Sequence, residues 1–148
     1  MEELFNDVLE NDEQIIKVIK PSKSRYWKVA LLPFIIPIFL PHFIVIMVCT
    51  LFTLPFFYAH GYKNLYYCYT NKRLIVRSGI IGVDYRTLDF KFITASEVDV
   101  GLLDKLGKSK TGTLSFKSPT MAIRFNYVEN PYALMKEIKE YMNTANAE

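Results

Sequence analysis

The hydrophobic pattern of the chain is dominated by one uncharged block. No Lys, Arg, Asp or Glu occurs from Val29 to Tyr62. As a single helix this block would extend about 50 Å, against about 30 Å of bilayer hydrocarbon. Pro41 falls near its middle, and a helix rarely continues into the residue before a proline. The pattern therefore predicts a helical hairpin over residues 26–62, with two short arms joined by a turn.

Basic and aromatic residues flank this block on both sides. Under the positive-inside tendency, basic clusters at both ends favour a hairpin whose two ends face the cytoplasm. Each arm would be about 18–25 Å long if helical, so two short spans and a re-entrant wedge both stay open. The residues assigned to membrane anchoring are Trp27, Pro33, Pro37, Pro41, Phe57 and Tyr58.

The lead-in over residues 1–25 holds two weaker signals. Residues 2–10 place their apolar side chains on one helical face, which predicts a short amphipathic helix. Residues 14–20 are β-branched and partly alternating, and Pro21 ends them. This second segment either adds a strand to the downstream domain or lies along the membrane surface.

From Lys63 onward the pattern changes to short β-type runs separated by turn residues. Asn71-Lys72 and Ser118-Pro119-Thr120 each lie between two such runs, which predicts two hairpins. The predicted strands cover 65–70, 73–77, 83–90, 92–100, 113–117 and 121–128.

A helix is predicted after the last strand. Asn130-Pro131 supplies an N-cap and a proline at the first helical position, and apolar residues then recur at helical spacing, with Lys136 and Glu140 on the opposite side. The predicted fold class is α+β. It combines an N-terminal membrane-embedded helical hairpin with a curved antiparallel sheet or open barrel that a C-terminal helix caps.

Composition and charge exclude several kinds of protein. A net charge of +3 on 148 residues is too small to indicate a nucleic-acid-binding protein. The two cysteines, Cys49 and Cys68, lie in apolar or aromatic runs and are typical of reduced packing residues. No arrangement of Ser, Cys, His or acidic residues has the spacing of a catalytic or metal site. We therefore expect no enzyme, metal, cofactor or small-molecule substrate.

Several segments resemble one known family, in the same order along the chain. Residues 69–80 read Tyr-Thr-Asn-Lys-Arg-Leu-Ile-Val-Arg-Ser-Gly-Ile, residues 102–107 read Leu-Leu-Asp-Lys-Leu-Gly, and 111–113 read Thr-Gly-Thr. Together with residues 13–22 and 123–131 they are similar to the bacterial pleckstrin-homology-like domains found beside membrane segments. The resemblance implies such a domain over 63–148, after the lead-in and the hairpin, and a location in the bacterial inner membrane.

The resemblance and the charge pattern together predict a non-enzymatic, membrane-anchored binding or scaffolding module that assembles with itself or with another membrane protein. Two alternatives stay open, a sensor of anionic lipid headgroups and a structural homo-oligomer built through the hairpin. The candidate lipid- or partner-binding residues are Lys72, Arg73, Arg77, Lys105, Lys108 and Lys110. They lie in one predicted hairpin and one loop, where each base near an anionic leaflet contributes about 1 kcal/mol.

Overall fold

The computed structural model describes residues 2–35, 55–101 and 110–145. Within these residues, seven strands form two antiparallel sheets. Sheet A has the order β1-β2-β3-β4, with β1 Ile15–Ile19, β2 Tyr66–Thr70, β3 Arg73–Ser78 and β4 Asp84–Asp89. Sheet B has the order β5-β6-β7, with β5 Ala95–Asp99, β6 Thr111–Lys117 and β7 Ala122–Glu129. The helices are α1 Lys23–Ile35, α2 over residues 55–64 and α3 Pro131–Ala145, and Glu2–Phe5 and Phe90–Phe92 form 3-10 turns.

Both predicted hairpins are confirmed. The β2–β3 hairpin turns at Asn71-Lys72 and pairs Tyr67 with Val76. Thr70 stabilises this turn, because its hydroxyl accepts hydrogen bonds from the amides of Lys72 at 3.2 Å and Arg73 at 3.0 Å. In the β6–β7 hairpin, β6 begins two residues earlier and β7 ends one residue later than the sequence predicts.

The two central strands of sheet A, β2 and β3, are buried on both faces. Side chains that alternate along β2 and β3 turn toward sheet B and α3 and form the main core, including Tyr67, Tyr69, Leu74 and Val76. On the opposite face, Cys68 and Ile75 form a second core with Phe5. Cys68 is thus a buried packing residue as predicted, whereas Cys49 lies outside the described residues.

The N-terminal segment supplies the cover for that second face. Only Glu2–Phe5 forms a helical turn, so the amphipathic helix predicted over residues 2–10 is shorter than expected. Leu4 and Leu9 pack with Phe5 on the outer face of sheet A. β1 pairs antiparallel with β2. Of the two alternatives for residues 14–20, a strand of the domain or a segment along the membrane surface, the strand is therefore confirmed.

The C-terminal helix is confirmed, with one difference at its start. Leu134 and Ile138 are buried against the core, whereas Lys136 and Glu140 are exposed. Asn130 has a φ of 49° and its carbonyl accepts from the amide of Leu134 at 3.1 Å. Its side chain makes no hydrogen bond within the described residues, so α3 begins after a left-handed residue without the predicted side-chain cap.

The predicted membrane-embedded hairpin is wrong. Among the residues described, no helix combines the length and the apolar character needed to cross a membrane. Helix α1 has 13 residues, about 20 Å of rise, and it begins at Lys23 and includes Arg25 and Lys28. Its Tyr26 packs edge-on against Tyr127 of β7, with 6.2 Å between ring centroids. The predicted location, in the bacterial inner membrane with both termini in the cytoplasm, rested on that hairpin and is wrong on the same finding.

The residues assigned to membrane anchoring are divided between α1, α2 and the segment that is not described. Trp27 and Pro33 lie in α1, and Phe57 and Tyr58 lie in α2. Tyr58 contacts Tyr26 edge-on at 5.9 Å, so it takes part in packing between the two helices. Pro37 and Pro41 lie outside the described residues.

Candidate partner-binding surfaces

Arg73, one of the predicted binding residues, is held inside the protein. Its Nη2 lies 2.7 Å from Oε2 of Glu13 and its Nε donates to Oε1 of the same carboxylate at 2.9 Å. Nη2 also donates to the carbonyl of Val8 at 2.8 Å, and Nη1 lies 3.2 Å from the carboxylate of Glu10. The guanidinium therefore ties the N-terminal segment to β3.

Glu13 is a buried carboxylate whose acceptor positions are satisfied. Its side chain has no exposed surface, and it accepts from the hydroxyl of Thr70 at 2.7 Å and from the amide of Glu10 at 3.1 Å, besides the bonds from Arg73. Burial by itself raises the pKa of Glu13, but these hydrogen bonds and the charge of Arg73 outweigh burial and hold it below its usual value. The group is ionised near neutral pH and forms a structural ion pair.

Arg77 is also engaged in contacts within the protein. Its Nη1 donates to the carbonyl of Asn64 at 3.3 Å and its Nε donates to the hydroxyl of Tyr85 at 3.3 Å. The guanidinium lies 5.9 Å from the centre of the Tyr66 ring. These contacts fix Arg77 between the end of α2 and the outer face of sheet A.

The other predicted bases do not form one patch with them. Lys72 and Lys110 are exposed, and Lys105 and Lys108 lie outside the described residues. Lys72 lines a cleft with Ala145 at the end of α3. Lys110 lines a different cleft with Pro131 at the start of α3. The two clefts therefore lie at opposite ends of this 15-residue helix, which is about 22 Å long. Whether any of the six binds a partner stays a prediction.

Sequence reasoning missed a lysine that organises α2. The Nζ of Lys20 donates to the carbonyls of Tyr62 at 3.0 Å and Lys63 at 3.1 Å, in the last turn of that helix. The same ammonium lies 3.5 Å from the centre of the Tyr66 ring. A cation is stabilised at a helix C-terminus, so Lys20 fixes α2 against the start of β2.

The β3–β4 turn carries the most exposed apolar side chain that the structure describes. Ile81 has 91% of its surface exposed, and Ile80 and Val83 are also exposed. Gly79 and Gly82 have φ values of 148° and 90°, which L-residues rarely adopt. The sequence signal was available, because adjacent isoleucines between two glycines are unusual in a hairpin turn, where polar residues prevail.

This turn is held against α2. The side-chain amide of Asn64 donates to the carbonyls of Gly79 at 3.1 Å and Gly82 at 3.4 Å. Ile80 lies beside Gly61, where an added Cβ would meet it at 3.6 Å. We call the exposed residues of the turn and of α2 the apolar turn surface; it consists of Phe56, Phe57, Ile80, Ile81 and Val83.

No group of three or more His, Cys, Asp or Glu residues in the described ranges is placed to hold a metal ion.

Two antiparallel sheets of four and three strands, closed by one C-terminal helix, replace the single curved sheet or open barrel that the sequence pattern predicts, and the C-terminal helix is as predicted. A family model described as the bacterial PH domain matches residues 29–144. The chain belongs to the bacterial PH domain family. PH domains commonly bind lipids or proteins, and the family is generally non-catalytic.

One solved structure aligns with nearly the whole chain. It is a crystal structure of a DUF1696 family protein with a pleckstrin-homology domain from Shewanella loihica PV-4. The two chains are 14% identical, and the alignment covers 95% of this chain and 91% of that one with a TM-score of 0.49. No curated protein matches this bacterial PH domain.

Proposed function

We propose that this bacterial PH domain protein is a non-catalytic scaffolding module that assembles with a second copy of itself through the apolar turn surface. The observation that carries the proposal is the near-complete exposure of Ile81 on a turn that Asn64 and two left-handed glycines hold in place. Contiguous exposed apolar residues commonly mark protein interfaces, since water contact with them is unfavourable.

The charge pattern favours a second copy over a charged partner. Residues 79–83 contain no ionisable side chain. In a two-fold symmetric contact the residues near the axis meet their own copies, so like charges there would repel each other. An apolar surface without charge avoids this cost. Burial of the two isoleucines in the contact stabilises the dimer by about 25 cal/mol per Å² of apolar area.

The test is the mass of the full chain in solution, measured by analytical ultracentrifugation over a range of concentrations. We expect a dimer or larger assembly for the natural protein and a monomer for the double variant Ile80→Ser, Ile81→Ser. Tyr132→Ser is the matched control, since Tyr132 is also exposed but lies on α3. A natural chain that is monomeric throughout contradicts the proposal, and so does an assembly that both variants leave intact.

Recognition of anionic lipid headgroups is a second candidate. It is favoured by Lys72 and Lys91, which are exposed and line one cleft beside the β2–β3 turn, although Glu10 and Asp89 line it too. Co-sedimentation with vesicles containing phosphatidylserine tests it. We expect Lys72→Glu and Lys91→Glu to reduce binding more than Lys136→Glu, a charge reversal on α3. Equal effects of all three variants contradict a specific headgroup site.

A further inference from the structure

A third cleft lies where the two sheets separate. β4 is an edge strand of sheet A and β7 an edge strand of sheet B, and no backbone pairing joins them. The cleft between them has a volume of about 490 Å³. Buried apolar side chains lie at its base, and polar side chains lie around its opening; the lining includes Tyr67, Val76, Ile123, Ser78, Arg86 and Arg124.

Two arginines of this cleft have no partner among the residues that the structure describes. Arg86 of β4 and Arg124 of β7 are exposed, and neither makes a hydrogen bond or an ion pair within residues 2–35, 55–101 and 110–145. The described lining contains no carboxylate. This distinguishes them from Arg73, which is neutralised by Glu13. A guanidinium offers a planar set of donors that matches carboxylate and phosphate oxygens.

Tyr67 adds a buried donor to the same cleft. Its hydroxyl accepts from the amide of Asn126 at 3.0 Å, but its own proton has no acceptor within the described residues. Only 1% of Tyr67 is exposed, and Tyr67 lines this cleft. A buried donor without an acceptor is unfavourable. Burial raises the pKa of Tyr67 well above its usual value, so the hydroxyl keeps its proton at physiological pH.

We propose that the cleft between β4 and β7 binds a small anion with phosphate or carboxylate oxygens, which accept hydrogen bonds from Arg86, Arg124 and Tyr67. The anion neutralises two arginines that otherwise share an opening without a counter-charge, and it satisfies the buried hydroxyl proton. The site is separate from the apolar turn surface, since it includes none of the residues that define that surface.

The test is isothermal titration of the full chain with inorganic phosphate and with citrate, at constant ionic strength set by chloride. We expect saturable binding of at least one of the two anions, and their comparison identifies the preferred oxygen chemistry. Loss of one charge-assisted hydrogen bond costs about 1.5–3 kcal/mol, so Arg86→Gln and Arg124→Gln should each weaken binding about tenfold or more. Tyr67→Phe, which removes only the hydroxyl, should weaken it by a smaller factor.

Lys136→Gln is the matched control, because it removes one positive charge from an exposed position on α3. It should bind the anions as the natural chain does. An equal loss in this control, or no saturable binding of either anion by the natural chain, overturns the proposal. The variant Ile80→Ser, Ile81→Ser should lose self-association and keep anion binding, so failure of either proposal is recognised separately.

Discussion

Replacement of Glu13 by Gln tests whether the buried ion pair holds the N-terminal segment on sheet A. The variant keeps the volume of the side chain but removes the charge that faces Arg73 at 2.7 Å. Breaking a buried ion pair from one side commonly costs about 3–5 kcal/mol, because the remaining charge stays desolvated. The Gln oxygen still accepts one of the two bonds from Arg73, and Arg73 keeps Glu10 and the carbonyl of Val8. We therefore expect a loss of about 2–3 kcal/mol in the free energy of unfolding.

The assay is urea unfolding of the full chain at pH 7, followed by far-ultraviolet circular dichroism. Glu97→Gln is the matched control, because it removes the same charge from an exposed ion pair with Lys117. Exposed ion pairs contribute about 0–1 kcal/mol, so the control should change stability little. A loss for Glu13→Gln no larger than that of the control would refute the structural role of the pair.

The same pair makes a pH prediction. The pKa of Glu13 is lower in the folded protein than its usual value of 4.5, so between these two values the unfolded state binds more protons. The stabilisation is complete above pH 4.5 and decreases as the pH falls through the lowered pKa. The difference in unfolding free energy between the natural chain and Glu13→Gln should shrink over that acidic range; a constant difference contradicts this assignment.

Three further changes test other parts of the structure by the same unfolding assay. Gly79→Ala should destabilise the protein more than Gly82→Ala, because a Cβ at Gly79 lies 2.5 Å from the carbonyl oxygen of Gly82, whereas one at Gly82 meets nothing within 4 Å; equal losses contradict this. Tyr69→Phe removes the hydrogen bond to the carboxylate of Glu137 and should cost about 1.5–3 kcal/mol, and a neutral effect argues against that bond. Leu134→Ala opens a cavity under α3 and should cost about 2–5 kcal/mol, whereas a loss below 1 kcal/mol places Leu134 outside the core.

The elements that the sequence predicted correctly are those whose signals are local. The β2–β3 hairpin depends on Asn71-Lys72 between two β-type runs, and α3 depends on Asn130-Pro131 before a helical repeat. Both signals act over a few residues, where turn and helix-start chemistry decide the structure. The order of the family motifs indicated the family, and the match over 29–144 confirms that family.

The aromatic residues beside the uncharged block misled the membrane prediction, because tyrosines at a membrane interface and tyrosines in a packed cluster look alike in sequence. Tyr58 was assigned to membrane anchoring, but Tyr26 packs on Tyr58, on Tyr62 and on Tyr127 of β7. Aromatic rings are favoured in both settings, since each has an apolar body and a polar tip. Only the contact with a strand about 100 residues later separates the two cases.

The contacts of the candidate basic residues could not be predicted for the same reason, since their partners are distant in sequence. Arg73 lies in a hairpin with Lys72, and both were read as surface charges, yet the carboxylate that neutralises Arg73 belongs to Glu13, 60 residues earlier. No local pattern predicts such a pairing. The cleft between β4 and β7 was missed for a similar reason, because Arg86 and Arg124 come to line one cleft only after the two sheets pack.

The pairing of β1 with β2 has a consequence for how the protein folds. Two residues separate β2 from β3, but 46 separate β1 from β2. The entropy of loop closure grows with the logarithm of length, which makes the longer closure about 2–3 kcal/mol less favourable. We expect the later strands to fold first and β1 to dock last. The amide protons of Val18 and Ile19 should then acquire protection from hydrogen exchange more slowly than those of Ile75 and Val76.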